Sequence, residues 1–173
     1  RILDLCCGGG CIGLAAAHYN PGAQVDLVDL DQQALALAAE NRLKLGLGDR
    51  VSLYHSDLFA SVPQKRYNLI LSNPPYVDSA DLASMPAEYH REPELALGSG
   101  PDGLHLARQI LAKAADYLAD SGLLVLEVGN SWAALEEAYP DVPFTWLEFE
   151  HGGHGVLALT AVELQDFRES LRR

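Results

Sequence analysis

Apolar residues in this chain come in short runs of four to six, each followed by a stretch with helical spacing, and that alternation admits few folds. Ile2 to Leu5, Gln24 to Val28, Val51 to His55, Tyr67 to Leu71 and Leu123 to Val128 read as strands. Cys11 to Tyr19, Asp31 to Leu45, Gly103 to Leu118 and Ser131 to Tyr139 read as helices, with Asp31, Asp102 and Ser131 as N-cap or first-turn residues and Gly46 and Gly122 as stops. Strand and helix in alternation imply right-handed crossovers and a parallel sheet covered on both faces. Phe144 to Phe149 and Gly155 to Leu159, joined by His151-Gly152-Gly153-His154, suggest a closing antiparallel pair, and Glu163 to Arg173 a surface helix. The expected fold is therefore α/β, a doubly wound, mostly parallel sheet of seven strands ending in an antiparallel strand pair, with any ligand at the strands' carboxyl ends.

The 173 residues amount to one domain, 1–173, able to bury about 70% of its unfolded surface. No apolar stretch reaches membrane length, and no signal peptide is legible, so a cytoplasmic protein is expected. Twenty-four Asp and Glu against twelve Lys and Arg oppose contact with nucleic acid or anionic lipid and favour a basic partner. Cys6, Cys7 and Cys11 are too close together for disulfides, and no fourth ligand at a usual spacing makes them a metal site, so no metal is predicted. Arg1 runs straight into a strand, which suggests that an N-terminal portion lies upstream.

Asn73-Pro74-Pro75-Tyr76 directly follows the strand Tyr67 to Leu71 and Ser72. A carboxamide, two prolines and a ring at a strand's carboxyl end suit a flat, weakly nucleophilic NH2 group. The Asn73 side-chain oxygen can accept one N–H and the Pro74 carbonyl, its direction set by the rigid Pro-Pro step, can accept the other. Pro75 stiffens the corner and Tyr76 can cover the planar group. The alternative is an ordinary turn, since all four residues suit loops.

Gly8-Gly9-Gly10 after the first strand lets backbone approach a ligand closely. Asp29, ending the second strand, stands where an acid grips the two hydroxyls of a ribose; its alternative is a helix cap, a task Asp31 can perform. Asp57, in Ser56-Asp57-Leu58-Phe59, either accepts from an adenine amino group, with Leu58 against the ring, or is an exposed loop acid. The first helix opens with Cys11 and Ile12 and no cation precedes Arg42, which disfavours a pyrophosphate. S-adenosylmethionine, whose sulfonium suits a pocket bearing Asp4, Asp29 and Asp57, fits better, with S-adenosylhomocysteine as product.

Ile2-Leu3-Asp4-Leu5-Cys6-Cys7-Gly8-Gly9-Gly10, Asp29, Ser56 to Phe59 and Asn73 to Tyr76 together resemble the class I S-adenosylmethionine-dependent methyltransferases. Ser72-Asn73-Pro74-Pro75-Tyr76-Val77 is similar to the form shared by the glutamine methyltransferases of ribosomal proteins and release factors. Met85 to Tyr89, Glu92 to Leu97, Glu127-Val128-Gly129-Asn130-Ser131 and Pro140 to Phe149 resemble the PrmB branch, whose members methylate a glutamine of large-subunit ribosomal protein number three. The resemblance implies a Rossmann-like methyltransferase fold, cofactor contacts from Cys6, Cys7, Gly8, Gly9, Gly10, Asp29, Leu58 and Asn73, and a glutamine held by Asn73 to Tyr76. It also implies an upstream helical domain that recognises a basic ribosomal protein. Cys6 stands where related enzymes often have glycine.

In the expected mechanism the amide nitrogen lies in line with the methyl–sulfur bond, Asn73 and Pro74 accept its hydrogens, and no general base is needed. Glu92 either orients the acceptor or is solvated, and Met85, Tyr89 and Leu97 are candidates for lining the acceptor channel. His151 and His154 read as turn residues, and His105 receives no role. Three other readings stand beside this one: a release factor as acceptor, an exocyclic base amine of RNA or DNA held by the same device, and a non-catalytic binding module. The sparse, scattered Lys and Arg argue against direct nucleic-acid binding.

Overall fold

A computed structural model describes residues 1–76, 102–150 and 153–172. Its sheet has seven strands in the order β3-β2-β1-β4-β5-β7-β6: β1 Ile2–Leu5, β2 Val25–Asp29, β3 Val51–His55, β4 Tyr67–Ser72, β5 Leu118–Glu127, β6 Thr145–Trp146 and β7 Val156–Thr160. The chain gathers into two compact units, Arg1–Asn73 with Asp116–Leu124, and Pro74–Ala115 with Val125–Arg173.

In the first unit β1 runs parallel to both β2 and β4, and β2 parallel to β3. Strand order reverses between β1 and β4, which makes the carboxyl end of β1 a topological switch point. Helices α1 (Cys11–Tyr19) and α2 (Gln32–Lys44) are the crossovers. Leu14, Ala17, Leu27 and Ala38 interlock with Ile2, Val25, Leu47 and Val51 in one core cluster. Asp31 caps α2 by accepting the Gln33 N–H at 2.8 Å, as its position predicts. The buried Asp26 carboxylate, near the opposite strand ends, is satisfied by the Tyr67 hydroxyl at 2.7 Å and the Lys65 ammonium at 2.8 Å.

In the second unit α3 (His105–Tyr117) spans the expected helix, Asp102 supports the turn before it by accepting the Leu104 N–H at 3.1 Å, and α4 covers Trp132–Ala138. β6 and β7 pair antiparallel, Thr145 with Ala158 and Trp146 with Leu157, the closing pair the sequence predicts. The last segment is two short helices, α5 (Ala161–Asp166) and α6 (Arg168–Leu171), rather than one; a Thr160–Glu163 capping box starts the first.

Two expectations need correction. Gly122 does not stop a helix, because α3 ends at Tyr117 and Gly122 lies inside β5, where a Cβ would sit 2.9 Å from the Tyr67 carbonyl oxygen; closeness of a neighbouring backbone explains the glycine. Ser131 stands at the N-cap position of α4, as expected, though its side chain makes no capping bond: it ends a 3₁₀ turn, Gly129–Ser131, and its hydroxyl goes elsewhere. The strand expected over Phe144 to Phe149 shrinks to Thr145–Trp146. No helix among the described residues is long and apolar enough to cross a membrane.

Candidate active site

The carboxyl edge of the first unit carries most of the residues that the sequence singles out. β1 ends at Leu5, and Cys6 turns the chain with φ 57, the left-handed region that glycine enters most readily and a β-carbon resists. The Cys7 N–H donates to the Val28 carbonyl at 3.0 Å, and the Gly10 N–H closes the turn on the Cys7 carbonyl at 2.8 Å. Gly10, with φ 82, then opens α1; a Cβ there would press on Leu14, Leu27 and Ala38 at 3.0 to 3.3 Å.

Asp29 ties this loop to β2. One carboxylate oxygen accepts the Gly8 N–H at 2.7 Å and the other accepts the Asp31 N–H at 2.8 Å. Each oxygen keeps a further lone pair, so these bonds leave room to accept two ribose hydroxyls. The Gly8 and Gly10 amides are thus engaged within the protein, and what the turn offers a ligand is space: nothing lies within 4 Å of a Cβ built on Gly8. Leu30, next to Asp29, is a large apolar side chain left 53% exposed, which alternation alone could not flag.

Asp4 is buried at the foot of the loop. One of its oxygens accepts the Gly13 N–H at 2.8 Å, pinning the first turn of α1, and the other, buried, has no partner among the described residues. Burial, opposed by the Gly13 bond and reinforced by the Asp29 charge, pushes its carboxyl up to about 7. Burial likewise pushes the Cys6 thiol up to about 12, with Asp29 and Asp4 adding to it, and drives Cys7 further the same way. Both thiols stay protonated near neutrality, the wrong state for nucleophiles.

After β3, Ser56 organises the next turn: its hydroxyl donates to the Leu58 carbonyl at 2.9 Å and accepts the Ser61 N–H at 2.8 Å. Asp57 is exposed, and Leu58 is buried with φ 43, an apolar residue held in a conformation it rarely adopts. β4 ends at Ser72, whose hydroxyl donates to the Leu5 carbonyl at 2.8 Å. Asn73 follows as an exposed residue that closes the first unit. Asp4, Cys6 to Gly10, Asp29, Asp57, Leu58 and Asn73 therefore lie on or beside the carboxyl ends of four neighbouring parallel strands.

The second unit opens with Pro74, buried, and Pro75 and Tyr76, half-buried. Tyr76 sits in a cradle that sequence reasoning missed. Its hydroxyl donates to Glu127 Oε1 at 3.1 Å, and its carbonyl accepts the Ser131 hydroxyl at 3.1 Å. Gly129, φ 49, lies against the ring so closely that a Cβ would overlap it, and Gly155 is packed on Gly129, accepting the Val128 and Gly129 N–H groups at 2.7 and 3.2 Å. Burial, then the Glu127 charge, pushes the Tyr76 phenol up and keeps it a donor. The only sequence signal for the cradle is the run Glu127 to Ser131, which local pattern does not connect to Tyr76.

Met85, Tyr89, Glu92 and Leu97 lie outside the described residues, as does His151. His105 opens α3 at the surface, within 3.0 Å of the Gln109 side chain, and His154 is exposed.

Residues 1–88 match the methyltransferase small domain family. The chain is 49% identical over 172 residues to the ribosomal protein uL3 glutamine methyltransferase of Francisella tularensis, covering 99% of this chain and 55% of that protein. It is also 49% identical over 164 residues to the protein of the same description from Neisseria gonorrhoeae, covering 95% and 54%. The chain thus spans about half the length of these curated relatives. Among solved structures, a methyltransferase from Pyrococcus furiosus superposes with TM-score 0.65 at 16% identity, over 92% of this chain and 74% of that one, a likeness of fold.

Proposed function

This chain belongs to the methyltransferase small domain family, and on that premise we propose that it is the catalytic part of a protein methyltransferase that moves a methyl group from S-adenosylmethionine to the side-chain amide of a glutamine in ribosomal protein uL3. The observation that carries the reading is Asn73-Pro74-Pro75-Tyr76, directly after β4, whose Ser72 pairs with Leu5 of β1, in a chain 49% identical to two uL3 glutamine methyltransferases. On the cofactor side, the orphan buried oxygen of Asp4 and the open space at Gly8 suit a cationic ligand pressed against backbone. Asp29 would take the ribose hydroxyls, Leu30 and Leu58 the adenine, and Asp57 its amino group.

When bound, the cofactor supplies a methyl group on a positively charged sulfur. The chain's own residues act on the acceptor. Asn73 would hold one amide hydrogen and the Pro74 carbonyl the other, drawing the nitrogen lone pair out of conjugation and toward the methyl carbon. The new N–C bond would replace the methyl–sulfur bond of the bound cofactor, whose sulfur would then be neutral. The nitrogen then loses a proton to water. Tyr76, held by Glu127 and Gly129, would keep the amide plane from rotating away. Fixing two reactants in this way can lower a barrier by about 7 to 11 kcal/mol.

Purified protein incubated with unmethylated uL3, a peptide-chain release factor, ribosomal RNA and isotopically labelled cofactor tests the reading, with peptide mass spectrometry to place the label. Label on one uL3 glutamine is expected. Label on RNA or on the release factor alone would overturn it.

A further inference from the structure

The second unit carries an aromatic patch that the Tyr76 cradle does not use. α4 opens with Trp132, 43% exposed, and its ring meets Trp146 of β6 edge to face at 6.2 Å. Phe144 lies 5.9 Å from Trp146, and Tyr139, buried, 6.5 Å from Phe144, so a chain of four rings runs from the core to the surface. Glu136, one helical turn from Trp132, accepts the Trp146 indole N–H at 2.9 Å, which places a carboxylate beside the rings.

Around the exposed rings the described charges are mostly acidic; Arg108, which faces the buried Tyr139, is already paired with Asp102 at 2.6 Å. Glu136, Glu137, Asp141, Glu148 and Glu150 are all exposed, and none takes part in an ion pair among the described residues. Between Lys113 and Arg168 the chain has ten Asp and Glu and no Lys or Arg. Such an excess of acids repels polyanions and draws cations, and a Lys or Arg that arrives finds a partly exposed indole as well as carboxylates. Solvation alone would explain the acids, but it leaves the exposed tryptophan at their centre without a reason.

We propose that the α4–β6 face is a docking surface for a Lys- and Arg-rich segment of the methyl-acceptor protein. That the occupant belongs to the acceptor rests on the function proposed above; its basic character rests on the surface alone.

Trp132 and Trp146 are the two tryptophans of the chain, so indole emission reports on this patch and nothing else. Two arms of one experiment separate the surface from the function. In the first, the protein is titrated at low salt with a tryptophan-free peptide of alternating Lys, Arg and Gly, and separately with single-stranded RNA. A saturable emission change is expected with the peptide and none with RNA, and the dissociation constant should rise about tenfold both in Glu136→Gln/Glu137→Gln/Glu148→Gln and in Trp132→Leu, as one cation–π contact and a few rim charges are lost. Glutamine at 136 keeps an acceptor for the Trp146 N–H, so the patch stays assembled. No response to the peptide, unchanged affinity in Trp132→Leu, or a response to RNA would each overturn the proposal. In the second arm, KM for uL3 should rise about tenfold in the triple variant with kcat unchanged, and equal KM values would remove the acceptor from the surface. Absence of methyl transfer to uL3 by the wild-type protein defeats the proposed function and leaves the first arm to judge the surface.

Discussion

In the glycine loop of the first unit, the carboxylates of Asp4 and Asp29 hold residues of one βαβ motif, whereas in the second unit Tyr76 is held by residues from far along the chain. Asp4 reaches Gly13 and Asp29 reaches Gly8, separations of 9 and 21 positions. Tyr76 meets Glu127 and Ser131 across 51 and 55 positions. A ligand edge built from one βαβ unit assembles as soon as that unit does, because short loops close at little entropic cost. A ring clamped by distant groups depends on the whole unit. The two regions should therefore fail differently: damage to the first should reach cofactor affinity, and damage to the second should reach acceptor handling while cofactor affinity holds.

The largest effect is expected from Asn73→Ala. If Asn73 supplies one of the two proposed acceptor oxygens, its removal should lower kcat about a thousandfold, as loss of a single transition-state hydrogen bond does elsewhere, with cofactor binding changed far less and the melting temperature nearly kept because Asn73 is exposed. Methyl-transfer rates, calorimetric titration with the cofactor and thermal melts decide this together. A rate within a few fold of wild type would show that Asn73 does not hold the acceptor.

Asp4 tests the first region through pH. Its carboxyl is raised from 3.8 to about 7, so in this window the folded protein keeps a proton that the unfolded chain has released. The native state then binds more protons than the unfolded state, and stability must fall as pH rises from about 4 to about 7, levelling above, by about 4 kcal/mol at most. Asp4→Asn can still accept the Gly13 N–H through its amide oxygen and should lose this slope, which denaturant melts at pH 5 and pH 8 would measure. A cationic ligand needs the carboxylate, so cofactor affinity of the wild type should climb through the same window and that of Asp4→Asn should stay low. Parallel pH profiles for the two proteins would show that Asp4 carries neither effect.

Gly129→Ala addresses the second region. A Cβ there has no room beside the Tyr76 ring, and Gly129 also holds φ 49, so both the ring and the turn must shift at a cost of about 1 to 3 kcal/mol. KM for the acceptor should rise and kcat fall, with cofactor affinity intact. Glu127→Gln, which keeps an acceptor for the Tyr76 hydroxyl but drops the charge, should cost only a few fold in kcat. A variant at Gly129 that lost cofactor binding instead would erase the distinction between the regions.

That distinction also sets what was legible in the sequence. β1, α1 and β3 match their expected bounds because period and punctuation are local: an apolar run bounded by Gly8-Gly9-Gly10, or by Asp49 and Ser56, needs no distant partner to be recognised. Asp29 and Asp31 were separable for the same reason, one at a strand end and one three residues before an apolar stretch. β5 was misread at its start, since the side chains of Leu118 to Gly122 look like a helix end and only the approach of the Tyr67 carbonyl reveals why a glycine sits within the strand. The Tyr76 cradle was illegible because nothing in Glu127 or Gly129 points 50 positions back. Asp4 lay between: its strand position was clear, but that it is buried, with one oxygen on Gly13 and one unpartnered, appears only when α1 folds over it.

The smallest expected effect belongs to Cys6→Gly. Cys6 holds φ 57 at a penalty of about 1 to 2 kcal/mol relative to a residue without a β-carbon. Against that relief, glycine widens the unfolded ensemble by about 0.5 to 1 kcal/mol and the half-buried thiol gives up its packing. The two nearly cancel, so a change in stability below about 1 kcal/mol in either direction is expected, with methyl transfer and acceptor KM unaltered. The informative quantity is cofactor affinity. A thiol held neutral, as Cys6 is, contributes no charge to the loop, so its loss should leave that affinity within about twofold. A tenfold drop would mean that the sulfur itself touches the ligand, and would make Cys6 a specific feature of this chain's loop rather than a tolerated substitute for glycine.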